Sequence, residues 1–167
     1  MGHPVLRERA RRLDKSDIKS AVIQKLIDDM IDTMHEYHGV GLAAPQVHEG
    51  VRIFVGLLDE DPDSKSDAFV VINPEIVPAS HAMEEGWEGC LSIPDIRGKV
   101  PRYTDIVVRA MDRTGRAIEL ALKNFPARVA QHETDHLDGV LFFDRMKEFG
   151  TLTFMDEYSR YWSKDED

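Results

Sequence analysis

Apolar residues recur with a helical period in the first third of the chain. The periodic positions are Ile23, Ile27, Met30 and Met34. Their spacings of three and four residues place them on one face of a helix. We therefore predict an irregular segment over residues 1–15, followed by a helix from about Asp17 to Tyr37. Gly39 stands where the C-terminal cap of this helix is expected.

Shorter apolar runs in the middle of the chain indicate strands. Residues 51–58 and 68–72 form two such runs, the second ending at Asn73-Pro74, and an acidic loop over 59–67 separates them. Apolar and polar residues alternate over 105–111, which is the pattern of a half-buried strand. A turn at 112–115 joins this strand to another over 116–122, as in a β-hairpin.

A helical pattern returns towards the C-terminus. It runs from about Phe125 to Leu137 and ends before Gly139, and a short final helix is predicted from about Thr151 to Trp162. These elements predict an α+β fold in which small antiparallel sheets wrap around a central helix, between an N-terminal helix and a short C-terminal one. The length predicts that residues 1–167 form one domain with its own core.

The composition is that of a globular protein with an acidic balance. Hydrophobic residues make up 42% and charged residues 31%. The net charge of -10 argues against nucleic-acid binding, because phosphate contacts need clustered Lys and Arg. No apolar run is long enough to span a bilayer, and the first residues lack the apolar stretch of a signal peptide. Cys90 is the only cysteine, which agrees with a reducing compartment, and we expect a cytoplasmic protein.

The strongest chemical signal is the segment His132-Glu133-Thr134-Asp135-His136. Two histidines four residues apart project from the same face of a helix, so both imidazoles can bind one metal ion. The glutamate between them is then placed to act on metal-bound water. The motif therefore predicts a hydrolytic metal site on the central helix.

A catalytic site of this kind needs a third protein ligand and one open position. A metzincin-like site would use a histidine six residues after His136, but that position is Phe142. A thermolysin-like site would use a downstream glutamate, and Glu157 lies at a suitable distance. The lone Cys90 is the third option, although a single cysteine is more often a buried apolar residue. From the residues alone, Glu157 and Cys90 both remain open.

Three motifs, in order along the chain, resemble those of peptide deformylases. They are Gly39-Val40-Gly41-Leu42-Ala43-Ala44-Pro45-Gln46, then Glu88-Gly89-Cys90-Leu91-Ser92, then the segment from Gln131 to Gly139. The similarity extends from about residue 3 to residue 146. By this resemblance Cys90 is the third ligand beside His132 and His136.

The resemblance implies a metallohydrolase that removes the N-formyl group from the N-terminal methionine of newly synthesised polypeptides and releases formate. One divalent metal per chain is expected, with Fe²⁺ favoured in the cell and Zn²⁺, Ni²⁺ or Co²⁺ as alternatives. Glu133 would take the water proton and return it to the leaving amine. The Gln46 side-chain amide and the Leu91 backbone N–H would donate to the oxyanion.

The resemblance also implies how substrate is held. Backbone groups around Gly41 would bind an N-formylmethionyl nascent peptide as an added strand. Val40, Phe125 and Val129 are predicted to line the pocket for the methionine side chain. Gly86 and Arg128 lie nearby and are less expected in an apolar pocket.

Several charged residues near the motifs are candidates for support. Glu88 and Arg102 could hold the metal ligands or form an ordinary surface ion pair. Asp135 and Asp138 could orient the ligand histidines. Some deformylases dock on the ribosome through a basic C-terminal helix, whereas this chain ends in the acidic segment 164–167. We therefore expect at most a weak association with the ribosome.

Overall fold

The computed structural model describes residues 1–58 and 68–163. The predicted acidic loop over 59–67 and the acidic end over 164–167 lie outside the described residues. The helices are α1 (Lys15–Ile18), α2 (Ala21–Glu36), α3 (Asn124–Leu137) and α4 (Met155–Tyr161). The strands are β1 (Gly41–Ala43), β2 (Ile53–Gly56), β3 (Phe69–Pro78), β4 (Met83–Cys90), β5 (Ile93–Tyr103), β6 (Asp105–Met111), β7 (Ala117–Lys123) and β8 (Thr153–Phe154).

The strands form two antiparallel sheets. The larger sheet has the order β1-β2-β3-β6-β7 and the smaller has the order β4-β5-β8. Helix α3 contacts β1, β2, β6 and β7 of the larger sheet and β5 of the smaller one. The predicted α+β architecture around a central helix is thereby confirmed.

The first predicted helix is divided in two. The Asp14 side chain accepts a hydrogen bond from the Asp17 N–H and caps α1, and the Ser20 side chain accepts one from the Ile23 N–H and caps α2. A capping serine has extended backbone, so the helix cannot run continuously through it. The predicted apolar face is correct, since Ile23, Ile27, Met30 and Met34 are all buried in α2.

The apolar pattern did not predict strands β4 and β5, although the resemblance implied that Cys90 lies on a strand or at its end, as it does at the end of β4. The two strands form a long hairpin in which Met83 pairs with Tyr103 and Glu88 pairs with Gly98. Glu88 is the only buried residue of β4. Because its inward positions are not filled by large apolar residues, the strand lacks the alternation that signals a half-buried strand.

Other boundaries differ for local reasons. The prediction of strand over 51–58 was too long, because only Ile53–Gly56 pair within the sheet. The final helix begins at Met155 rather than near Thr151, because Thr153–Phe154 pair with β5 instead. Residues 1–15 are not wholly irregular, since Pro4–Arg7 form a 3₁₀ turn. Among the described residues, none of the helices has the length and apolar character needed to cross a bilayer.

Strand β3 continues through Asn73-Pro74, where it was predicted to end. Asn73 has a φ of 54° and lies within a register shift between Ile72 and Glu75. Its buried side chain accepts a hydrogen bond from the Leu13 N–H at 3.0 Å and donates to the Leu13 carbonyl at 2.7 Å. Asn73 therefore adopts the left-handed backbone that the bulge requires, and its side chain links the N-terminal segment to the sheet by two hydrogen bonds.

Asn73→Ala should destabilise the fold measurably. It removes both hydrogen bonds to Leu13 and places a Cβ-bearing, non-polar residue in left-handed backbone. We expect a loss of about 2–4 kcal/mol in the free energy of unfolding, measured by urea denaturation.

Asn73→Gly is the matched control, because it loses the same hydrogen bonds but accepts a positive φ. It should be about 1 kcal/mol more stable than Asn73→Ala. Equal stability of the two variants would show that the backbone conformation at this position contributes nothing.

Candidate active site

Helix α3 and the end of β4 bring three metal-ligating side chains together. His132 and His136 lie one turn apart on α3, and Cys90 is the last residue of β4. Ligand atoms of the three residues all lie within 4.8 Å of one another, and Cys90 Sγ is 3.3 Å from His136 Nε2. The described part of the chain contains no other such group of three.

The donor set suits a divalent transition metal. One thiolate and two imidazoles form three sides of a tetrahedron and leave a fourth position open. His132 Nδ1 lies 2.9 Å from Glu88 Oε2, which leaves Nε2 as the ring nitrogen available to a metal. Burial lowers the pKa of His136 well below its usual value, whereas burial of His132 is outweighed by its hydrogen bonds with Cys90 and Glu88, which raise its pKa well above that value. The three residues therefore fit a metal ion.

The alternatives to Cys90 lie elsewhere in the structure. Glu157 is on α4, where its carboxylate pairs with Arg160. Phe142 is buried in an apolar cluster, and its ring stacks on that of His132 with a centroid distance of 6.4 Å. Neither residue belongs to the group of ligand atoms, so the geometry favours Cys90 over both.

A buried carboxylate supports His132. Glu88 accepts two hydrogen bonds from Arg102, at 2.9 and 3.0 Å, and a third from Arg128 at 2.9 Å. Burial alone would raise the pKa of Glu88, but the hydrogen bonds from His132 and Arg102 outweigh it and hold that pKa far below its ordinary value. Glu88 and Arg102 therefore form a buried pair, and the reading of them as a surface ion pair is wrong.

Asp135 and Asp138 do not contact the ligand histidines in this way. Asp135 accepts hydrogen bonds from Arg102 at 2.5 Å and from Arg145 at 2.7 Å. Asp138 accepts one from the buried Arg52 at 2.7 Å. Glu88 is thus the carboxylate that orients His132, and Asp135 acts one step further away, through Arg102.

Glu133 lies buried in α3, next to His132. Burial raises the pKa of this carboxyl to about 7, and the negative charge of Glu88 adds to the effect against the opposing influence of His132. Its Oε2 atom has no hydrogen-bond partner among the described residues. A buried carboxyl with an unused oxygen can accept a proton from a group that enters the site.

Gly41 makes room for Glu133. A Cβ built on Gly41 would lie 2.5 Å from Glu133 Oε1, which is too close for any side chain at this position. Gly41 begins β1 and pairs with Gly56 of β2. The glycine expected to bind peptide through its backbone is therefore also in contact with the predicted base.

The Gln46 amide is oriented by contacts at both ends. Its Oε1 accepts a hydrogen bond from the Ala43 N–H at 2.8 Å. Its Nε2 lies 3.3 Å from Ser92 Oγ and 3.6 Å from Cys90 Sγ, so the donor end faces the metal ligands. Leu91 occupies the turn between Cys90 and Ser92. Ser92 is part of the second motif, but its contact with Gln46 was not foreseen.

The structure places some, but not all, of the residues predicted for the methionine pocket next to the strand pair of β1 and β2. Val129 is buried, and its Cγ1 lies 3.5 Å from a Cβ built on Gly56. Val40 and Phe125 are half-buried, and the Val40 carbonyl accepts a hydrogen bond from the Leu57 N–H at 2.9 Å. Val129 thus lies beside the strand pair that contains Gly41.

Comparison with known proteins agrees with this geometry. The family model described as polypeptide deformylase matches residues 1–151. Peptide deformylase 2 of Nostoc sp. is 42% identical, over 98% of this chain and 93% of its own length.

Solved structures share the fold. The Met-Ala-Ser-bound class I type b peptide deformylase of Acinetobacter baumannii has a TM-score of 0.81 at 39% identity, covering 87% of this chain and 94% of its own. Peptide deformylase of Thermotoga maritima has a TM-score of 0.80 at 41% identity, covering 89% and 95%. The motifs, the Cys-His-His group and these similarities lead to one conclusion: the chain belongs to the polypeptide deformylase family.

Proposed function

We propose that Cys90, His132 and His136 hold the catalytic metal of this deformylase and that Glu133 is its proton-transfer residue. The protein is a metal-dependent hydrolase that removes the N-formyl group from new polypeptides. The observation that carries the residue assignment is the clustering of one thiol and two imidazoles beside a buried carboxyl.

The metal would supply Lewis acidity for water activation and for the developing negative charge. The soft thiolate favours Fe²⁺, Zn²⁺, Co²⁺ or Ni²⁺ over Mg²⁺ or Ca²⁺. We propose Fe²⁺ as the metal in the cell. Elemental analysis of protein purified without oxygen tests this, and zinc alone at one ion per chain would contradict it.

Glu133 accepts the proton of the attacking water on Oε2 and then passes it to the leaving amine. Proton transfer by a positioned carboxyl serves both half-steps, because the group that takes the proton can also return it. Gly41 leaves room for this carboxyl, because a Cβ at that position would lie 2.5 Å from Glu133 Oε1.

Gln46 and Leu91 stabilise the oxyanion. Nε2 of Gln46 points to the ligand group because the Ala43 N–H holds the other end of the amide. The Leu91 N–H is the second donor, in the turn that directly follows Cys90. Donors that are fixed before reaction stabilise the transition state without reorganising.

The peptide is bound in an extended form beside Gly41. Among the described residues, β1 is an edge strand of the larger sheet and pairs with β2 on one side, so we propose that the peptide adds on its other side. Recognition through backbone tolerates many side chains, as an enzyme acting on nascent chains requires. Val40, Phe125 and Val129 line the methionine pocket in this proposal.

The cellular setting follows from the substrate. We propose that the protein acts in the cytoplasm, where formylated nascent peptides are made in bacteria, and the bacterial relatives support this. Association with the ribosome stays a prediction of weak binding, and direct binding of nucleic acid is not expected.

N-formyl substrates should be hydrolysed far faster than N-acetyl ones. The acetyl methyl would crowd the metal and the oxyanion donors where formyl has only hydrogen. Comparing formyl-Met-Ala-Ser with acetyl-Met-Ala-Ser by amine release measures this. Similar rates on both would contradict the proposed function.

Gln46→Leu should lower kcat by roughly 10²–10³, the usual cost of one oxyanion donor. Metal content and folding should be unchanged, because Gln46 is not a ligand. Gln24→Leu serves as the control, since Gln24 bonds the Ile18 and Arg113 carbonyls instead. Near-normal turnover in Gln46→Leu would remove this amide from the mechanism.

Cys90→Ala and Glu133→Ala should differ in metal content. The first removes a ligand and should empty the site and lower thermal stability. The second removes no ligand, so the metal should remain while activity collapses. Metal analysis and activity are measured on both, with Glu157→Ala as the control for the thermolysin-like alternative. A full metal complement in Cys90→Ala would overturn the ligand assignment.

A further inference from the structure

Arg128 connects helix α3 to the hairpin of β4 and β5. It lies one helical turn before His132, and its guanidinium reaches out of the helix to the hairpin. Nη1 donates to Glu88 Oε1 at 2.9 Å and to the Val100 carbonyl at 2.8 Å, and Nη2 donates to the Glu84 carbonyl at 2.8 Å. The acceptors lie on both strands of the hairpin, so one side chain joins three elements.

Gly86 provides the space for this guanidinium. A Cβ built on Gly86 would lie 2.8 Å from both Arg128 Cζ and Arg128 Nη2. The Gly86 carbonyl lies 3.4 Å from Nη1. Gly86 and Arg128 were both unexpected in an apolar pocket, and one contact explains both. The lack of a side chain at Gly86 leaves space for the Arg128 guanidinium.

We propose that Arg128 is a positioning residue for the metal site, and that Gly86 is the residue that admits it. The inference rests on the proposed ligands. By tying α3 to β4, Arg128 sets the distance between the histidines on the helix and Cys90 at the end of the strand. It also holds Glu88, the carboxylate that orients His132.

Arg128 is expected to act through the placement of the hairpin more than through its charge, because Arg102 also neutralises Glu88. Without Arg128, the Glu88 carboxylate would still accept two hydrogen bonds from the buried Arg102. Glu88 would therefore keep these two hydrogen bonds and its contact with His132. What would be lost is the link from α3 to the Glu84 and Val100 carbonyls, which fixes the hairpin against the helix.

Arg128→Met tests the proposal, because methionine keeps an unbranched apolar stem and loses all the N–H donors. Zinc-loaded protein is mixed with a coloured chelator, and the rate of Zn²⁺ release is followed. We expect release roughly tenfold faster than from the unaltered protein, within the usual cost of losing a residue that supports a metal ligand. The kcat for formyl-Met-Ala-Ser should fall, with little change in KM.

Two variants serve as controls for charge and for general stability. Arg109→Met removes an exposed arginine that pairs across strands with Glu119, and it should leave Zn²⁺ release unchanged. Arg128→Lys keeps the positive charge without the planar fork, so it should resemble Arg128→Met. Full rescue by lysine would show that charge alone is needed and would overturn the positioning role.

A double-mutant cycle tests the role of Gly86. Gly86→Ala should speed Zn²⁺ release when Arg128 is present, because the new methyl group displaces the guanidinium. In the Arg128→Met background the same change should have little further effect. Equal effects of Gly86→Ala in both backgrounds would show that Gly86 does not act through Arg128.

Urea denaturation of the same variants separates positioning from stability. A lower unfolding midpoint in Arg128→Met with normal Zn²⁺ release and kcat would make the residue merely structural and overturn the inference. Failure of the unaltered protein to bind zinc would instead contradict the proposed ligands. The two failures are therefore distinguishable in one set of measurements.

Discussion

The active site depends on one buried carboxylate that joins a helix to a sheet. Glu88 on β4 binds Arg128 and His132 on α3 and Arg102 on β5. Each partner satisfies an oxygen that would otherwise be costly to bury, and removing a single partner from such a group leaves charge uncompensated. The requirement that all of them be satisfied together restricts the helix and the hairpin to one relative placement, and that placement brings Cys90 to the histidines.

This arrangement leaves the inner face of β4 with little apolar surface. Strand β4 is held instead by its pairing with β5 and by aromatic packing around Trp87. The Trp87 ring lies 5.0 Å from that of Tyr158 and 5.6 Å from that of Trp162, between ring centroids. Helix α4 therefore adds an apolar contact to β4 through Tyr158, while Cys90 packs against the apolar cluster of Ile93, Val100, Leu141 and Phe142.

The parts of the fold that bury apolar residues could be predicted from the sequence. The central helix, the apolar face of α2 and the hairpin of β6 and β7 follow the expected periods. The hairpin of β4 and β5 was not apparent from the pattern, because the buried residue of β4 is Glu88 and the buried positions of β5 mix Ile93 and Val100 with Gly98 and Arg102. The division at Ser20 and the bulge at Asn73 depend on side-chain hydrogen bonds that periodicity does not report.

The functional site, like the fold, could be predicted from the sequence only in part. The motif around His132 and the resemblance to deformylases predicted the three ligands that the structure brings together. The support around them was harder to assign. Asp135 was predicted to orient a ligand histidine, but it accepts hydrogen bonds from Arg102 and Arg145 instead. Arg128 was unexpected in an apolar pocket. Its role could not be assigned from the sequence, because it donates to carbonyl groups on strands that the apolar pattern did not predict.

Two glycines, Gly41 and Gly86, each leave space for a charged side chain near the proposed metal ligands. A charged group must lie close to backbone so that water is excluded and its position is fixed, and a Cβ on that backbone would prevent the approach. Gly41 admits the Glu133 carboxyl, and Gly86 admits the Arg128 guanidinium. In the proposed function an extended peptide would join β1 beside Gly41, next to the Glu133 carboxyl. Binding of substrate and placement of the proposed base would then depend on the same short stretch of backbone.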